Sequence, residues 1–119
     1  MQIFELEPTD IKLNKDKNQL SVTFEDGKAF EFSSEYLRVM SPSAEVQGHS
    51  PEQRKTVPGK QNVKITGIEE VGLYAICLTF DDGHDTGVYS WKHLYEIGKN
   101  KGFYWDRYIK ELEEQSLSR

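Results

Sequence analysis

The chain has one cysteine, four prolines and few basic residues. No apolar run approaches the roughly 20 residues that cross a bilayer, so no membrane partner is expected. A lone Cys77 excludes an intrachain disulfide framework. Fifteen Lys and Arg stand against twenty Asp and Glu, for a net charge of −5. That balance excludes coating of nucleic acid, which needs a basic surface. Met1-Gln2-Ile3-Phe4-Glu5-Leu6-Glu7 lacks the basic start and apolar stretch of a secretory leader. A cytoplasmic protein is therefore expected. The chain also lacks a Gly-rich phosphate loop ending in Lys-Ser/Thr, a Gly-x-Ser-x-Gly elbow and a His-Glu-x-x-His pair. No enzymatic role is expected.

What is present is length for one domain, 119 residues, with a core expected over about 8–112, and an aromatic set of six Phe, six Tyr and two Trp. These rings supply large buried area per residue, enough for a compact core.

Ile11, Leu13, Leu20, Val22, Phe24, Phe30 and Phe32 fall at alternate positions in three short runs. That period reads as a three-stranded meander over 10–32, its last turn made by Asp26-Gly27. Ser33 or Ser34 can cap a short helix bearing Tyr36, Leu37 and Met40. From Ser41 to about Asn62 no period is visible, and three of the four prolines lie there. Residues 47–62 read as a long, mobile loop. Val63 and Ile65 open a second β region, and Tyr74 to Phe80 reads as its central strand. Asp81-Asp82-Gly83-His84 turns the chain, and Gly87-Val88-Tyr89 returns it. Ser90 can cap a helix with Gly98 at its end. A last helix carries Trp105, Tyr108, Ile109 and Leu112 on one face, with Asp106–Lys110 and Arg107–Glu111 as outer pairs.

Residues 22–37 look like 78–94: strand, Asp-Gly turn, strand, Ser-capped helix. Shared hairpin grammar explains this, and so does a repeated ββα unit. Either way the fold class is α+β: antiparallel strands with short helices and a longer C-terminal helix.

Four features bear on chemistry. Cys77 sits in an apolar pattern and reads as an inert core thiol with a raised pKa. Asp81, Asp82, His84 and Asp85 crowd one turn, as a divalent metal site or as a solvated hairpin tip. A metal there would draw further ligands from Glu45 or His49. Ser41 and Ser43 read as local turn or capping hydroxyls, since serine needs an activating base to become a nucleophile. Arg54, Lys55, Lys60 and Lys64 form a basic stretch without the interleaved aromatics that stack nucleic-acid bases.

Two segments carry a family resemblance: Leu37-Arg38-Val39-Met40-Ser41-Pro42-Ser43-Ala44-Glu45-Val46, and Phe80 through Trp91 with Leu94. With Val71-Gly72-Leu73-Tyr74-Ala75 between them, they resemble the gamma-butyrobetaine hydroxylase-like N-terminal domain family. Its small stand-alone bacterial members are a domain of unknown function. In carnitine-pathway dioxygenases such a domain precedes the catalytic one. It holds a structural zinc through Cys-x-Cys-x-x-Cys and a later histidine. Related domains are fused to iron–sulfur carrier ATPases. The resemblance thus implies a protein partner of that kind, or another metal-handling protein, and a role in iron–sulfur or metal homeostasis. The three cysteine positions fall on Ser41, Ser43 and Val46, and only the histidine persists, as His84. Hydroxyls and valine do not replace thiolates at zinc, so no cofactor is expected. Ser41 or Ser43 bonded to His84 would close the loop instead.

The resulting expectation is a non-catalytic interaction module, monomeric or weakly dimeric. Its partner surface joins Arg38, Ser41, Ser43, Glu45 and His49 to Asp82, His84, Asp85, Tyr89 and Trp91. The alternative is a metal-binding protein holding iron or another divalent ion through His84, Asp82 and Asp85.

Overall fold

The computed structural model describes residues 5–119; Met1 to Phe4, where the reading for a leader began, lie outside them. Strands β1 (Pro8–Leu13), β2 (Gln19–Phe24) and β3 (Ala29–Ser33) form one antiparallel sheet in chain order. Helix α1 (Ser34–Val39), helix α2 (Ala44–Gln47) and a 3-10 turn (Pro51–Gln53) follow. Strands β4 (Ile65–Val71), β5 (Ala75–Phe80) and β6 (Gly87–Ser90) form a second antiparallel sheet, again in chain order. Helices α3 (Trp91–Lys99) and α4 (Lys101–Glu114) close the chain. The fold is α+β.

The two sheets are built by the same local chemistry. Gly27 and Gly83 take φ of 86° and 91°, the left-handed region that a side chain would disfavour. The carboxylate before each accepts the amide two residues on: Asp26 from Lys28 at 3.0 Å, Asp82 from His84 at 3.1 Å. The Phe24 amide donates to the Lys28 carbonyl and the Phe80 amide to the His84 carbonyl, both at 2.9 Å. Ser33 then caps α1 through the Tyr36 amide, and Ser90 caps α3 through the His93 amide, each at 3.0 Å. The likeness also reaches a third strand, since β1 pairs β2 as β4 pairs β5.

Alternation buries Leu20, Val22 and Phe24 from β2 and Ile76, Leu78 and Phe80 from β5. They join Phe32, Leu37, Tyr89, Leu94, Ile97 and Leu112 in one hydrophobic cluster that draws on both sheets. Each such side chain is worth about 1.5–3 kcal/mol of burial.

Four details differ from the sequence expectation. Cys77 is half-buried, because β5 alternates and turns Cys77 and Thr79 to the outer face. Its thiol is still pushed up, by burial and then by the charges of Glu69 and Asp85. Gly98 lies inside α3 and does not end it; a Cβ there would sit 2.5 Å from Cγ of Phe30, so the glycine admits a close helix–sheet approach. The aperiodic stretch holds α2 and the 3-10 turn and is tied down along its length. The Lys55 amide donates to the Val46 carbonyl at 2.7 Å, Arg54 grips Glu111 with two bonds, and Tyr108 Oη donates to the Val57 carbonyl at 2.6 Å. On α4, Glu111 therefore faces Arg54, and Arg107 lies over the Tyr104 ring at 4.9 Å. Among the described residues, no helix is long and apolar enough to cross a membrane.

Candidate functional site

A six-residue helix leaves most of its last carbonyls without helical partners. In α1 they are met by side chains from the far half of the chain. Tyr89 Oη donates to the Leu37 carbonyl, and His93 Nε2 donates to the Met40 carbonyl at 2.9 Å. Tyr36 Oη reaches the other way, to the Ile97 carbonyl at 2.6 Å. Burial pushes the Tyr36 and Tyr89 phenols far up, so both stay neutral donors. The end of α1 is thus fixed against β6 and α3, and the chain leaving it meets the β5–β6 hairpin.

That meeting is a continuous chain of hydrogen bonds. The Ser43 amide donates to Ser41 Oγ at 3.2 Å, and Ser41 Oγ lies 2.9 Å from His84 Nε2. His84 Nδ1 lies 3.0 Å from the Glu45 carboxylate. An ionised carboxylate only accepts, so Nδ1 carries the proton and Nε2 accepts from the serine hydroxyl. Burial and the nearby Arg38 charge lower the His84 pKa against the pull of Glu45 and Asp82, which keeps the ring neutral. Ser43 Oγ caps α2 through the Glu45 amide at 3.2 Å and meets Thr86 Oγ1 at 2.7 Å.

A second tie runs beside the first. Asp82 takes Arg38 Nε at 2.8 Å and Lys60 Nζ at 2.7 Å. Burial alone would raise this carboxyl. The Lys60 bond, the His84 amide and Arg38 outweigh it and hold the pKa down to about 2. Arg38 Nη1 is buried without a hydrogen-bond partner. Gly87 is where the two segments touch: a Cβ there would lie 2.8 Å from Ser41 Oγ and 2.9 Å from Cε1 of Tyr89.

Serine, imidazole and carboxylate here follow the order of a nucleophilic relay. Their exposure is inverted for that purpose. Ser41 is 0% exposed and His84 5%, whereas the Glu45 side chain is 62% exposed. Solvent thus meets the carboxylate and not the hydroxyl, and the three groups tie the two segments together as a staple.

Arg38, Ser41, Ser43, Glu45, Asp82 and His84 are brought together. Asp85 is exposed beside them, its carbonyl accepting from the Cys77 thiol at 3.2 Å. Tyr89 lies beneath them, fully buried. Two residues are elsewhere. His49 is exposed on a separate cleft, its amide bonded to Gln53 Oε1 at 2.7 Å. Trp91 is half-buried and donates to the Leu73 carbonyl at 2.9 Å. Nearness in sequence groups both with the surface, but the chain turns at Gly48, between Gln47 and His49, and β6 ends before Trp91. Lys60, Thr86 and Gly87 also belong to the junction. In the sequence only the basic stretch around Lys60 signals any of them.

The sequence model of the family described as gamma-butyrobetaine hydroxylase-like, N-terminal, matches residues 11–95. The chain belongs to that family. Two similar proteins have structures solved by NMR in solution. One is 42% identical over 94% of this chain and 88% of its own, with a TM-score of 0.80. The other is 44% identical over 100% of this chain and 89% of its own, with a TM-score of 0.85. A crystal structure of a protein of unknown function from Acidithiobacillus ferrooxidans, a member of the DUF971 family, is 31% identical over 76% of this chain and 91% of its own, at a TM-score of 0.64. No curated protein matches the chain.

The zinc that the family resemblance implies does not suit the residues at this junction. Val46 is buried and offers no donor atom, Ser43 Oγ is spent on Thr86 and the Glu45 amide, and Ser41 takes His84 Nε2. One imidazole without a thiolate is not a structural zinc set. Among the described residues, no group of three His, Cys, Asp or Glu side chains gathers as a metal site. In this member of the gamma-butyrobetaine hydroxylase-like N-terminal family, hydrogen bonds span the place.

Proposed function

We propose that the chain is a non-catalytic interaction module that docks a protein partner on the rigid junction of α1, α2 and the β5–β6 hairpin. The observation that carries this reading is the division of charge at the junction. Both cations there, Arg38 and Lys60, are committed to Asp82. Glu45 and Asp85 remain exposed on its rim. A rim of fixed acidic groups suits a basic partner surface, through complementary potential more than through buried area. The groups able to do chemistry, Ser41 and His84, are buried and bonded to each other. The partner class that the family resemblance supplies is an iron–sulfur carrier ATPase or another metal-handling protein, and a role in metal homeostasis follows from that proposal.

The metal-ion alternative needs Asp82, Asp85 and His84 to converge on one point. Asp82 is turned to two cations and both His84 nitrogens are occupied, so the distances favour the docking module.

The test is affinity capture from native extract, with wild type and an Asp85→Lys variant. Asp85 is exposed, and its side chain takes no part in the Ser41–His84–Glu45 staple. A partner retained by wild type and lost by the variant supports the reading. Identical captures with both would place the working surface elsewhere.

A further inference from the structure

A cleft of about 610 Å³ lies between the α2–turn segment and helices α3 and α4. Met40, Pro42, Ile97 and Tyr104 give it apolar wall, and His49, Arg54, His93, Glu96 and Arg107 bring charge or polarity. Most of these polar groups are spent. Arg54 is neutralised by Glu111, Glu96 accepts from Tyr104 Oη at 3.0 Å, and His93 Nε2 holds the Met40 carbonyl. Burial lowers the His93 pKa, so that ring adds no charge near neutral pH.

Arg107 is different. Among the described residues it makes no ion pair, and its Nε is buried with no hydrogen-bond partner. Its guanidinium carbon lies 4.9 Å from the centre of the Tyr104 ring, and the side chain lines the cleft.

We infer that this cleft binds a small organic monocarboxylate, with its carboxylate on Arg107 and its apolar body against Met40, Pro42 and Ile97. Among the described residues, Arg107 is the lining cation without an ion-pair partner, and with Glu96 also in the lining a single negative charge is the most it accepts. A phosphate dianion would meet Glu96 with only that single cation to balance it. The apolar wall adds affinity for a hydrocarbon or aromatic body that a bare anion lacks. The site is separate from the docking rim at Glu45 and Asp85, so either reading can fail without the other.

The test is NMR titration of the full chain with four probes: benzoate, acetate, benzyl alcohol and inorganic phosphate. Benzoate is expected to give saturable shifts in the millimolar range, centred on the Arg107 Nε–H and the amides of Met40, Ile97 and Tyr104. Acetate and benzyl alcohol, each holding half of the chemistry, are expected at least tenfold weaker. Arg107→Gln is expected to weaken benzoate tenfold or more, and Lys110→Gln, exposed on the same helix, to leave it unchanged. Should Arg107→Gln lose spectral dispersion, Arg107→Lys serves: it keeps the charge without the fork, and a clear loss of benzoate affinity supports the site. Unsaturable benzoate shifts, shifts spread over surface lysines, tighter phosphate than benzoate, or unchanged benzoate affinity in a folded Arg107 variant would each overturn the inference.

Discussion

The hydroxyl of Ser41 lies 2.9 Å from Nε2 of His84, 43 residues further along the chain, with both groups closed off from solvent. This bond joins the first half of the fold to the second. It sits between Gly87, which makes room for it, and Tyr89, which anchors α1 from below. Removing the hydroxyl leaves a buried imidazole nitrogen without a donor. Ser41→Ala is therefore expected to cost about 1–3 kcal/mol in denaturant unfolding, and Thr86→Ala, at the exposed end of the network, less than about 1 kcal/mol. Equal losses would mean that burial at Ser41 carries no weight.

Glycine-to-alanine changes inside helices usually gain about 1 kcal/mol. Gly98→Ala in α3 is expected to do the reverse and lose about 1–3 kcal/mol, because the new methyl meets the Phe30 ring at 2.5–2.9 Å. Gly102→Ala in α4, with open space around it, is the control and is expected to be neutral or stabilising. Thermal melts of the two variants distinguish these signs.

Stability should fall with acid in two stages. His84 and His93 have folded pKa values below their ordinary 6.5, so each contributes stability that is full above that value and is lost as pH falls through the folded value. Asp82 has its pKa lowered from 3.8 to about 2, so its share is present above about pH 4 and is lost toward pH 2. Melting temperature against pH is expected to show a decline below about pH 6.5 that His84→Gln makes shallower, and a later decline that Asp82→Asn removes. A profile flat between neutral pH and pH 5 would contradict the histidine assignment.

The family's metal ligands give a constructive test. A Ser41→Cys/Ser43→Cys/Val46→Cys variant supplies three thiolates beside His84, the ligand types that tetrahedral zinc takes. Added zinc is expected to raise the melting temperature of this variant with concentration and to leave wild type unchanged. A comparable zinc response in wild type would show that the hydroxyl network yields to metal.

Much of this fold was legible in the sequence, because its instructions are local. The alternation of Leu20, Val22 and Phe24, the Asp-Gly turns and the capping serines each act within a few residues, and each is found where it was read. The pairing of Ser41 with His84 became an expectation only through the spacing of the family motif, since no local rule links residues so far apart. Where the reading went astray, a distant partner decided the outcome. Gly98 looked like a helix end until Phe30 packed on it, and Glu111 turned to Arg54 instead of its helical neighbour. The segment beyond Ser41 looked unstructured because α2 is four residues long, too short for a period, and its anchors are residues of α4. His49 and Trp91 stand near the junction in sequence yet lie apart from it, since adjacency does not fix direction across a turn.

The most direct test of the central claim is the ring-nitrogen NMR spectrum of His84 in ¹⁵N-labelled protein near neutral pH. A staple of Ser41 to Nε2, with Glu45 holding the other nitrogen, requires a neutral ring protonated at Nδ1, with that proton slow to exchange. Ser41→Ala should shift the Nε2 signal and leave Nδ1 protonated. A ring protonated at Nε2, or charged at neutral pH, would contradict the staple and the docking surface built on it.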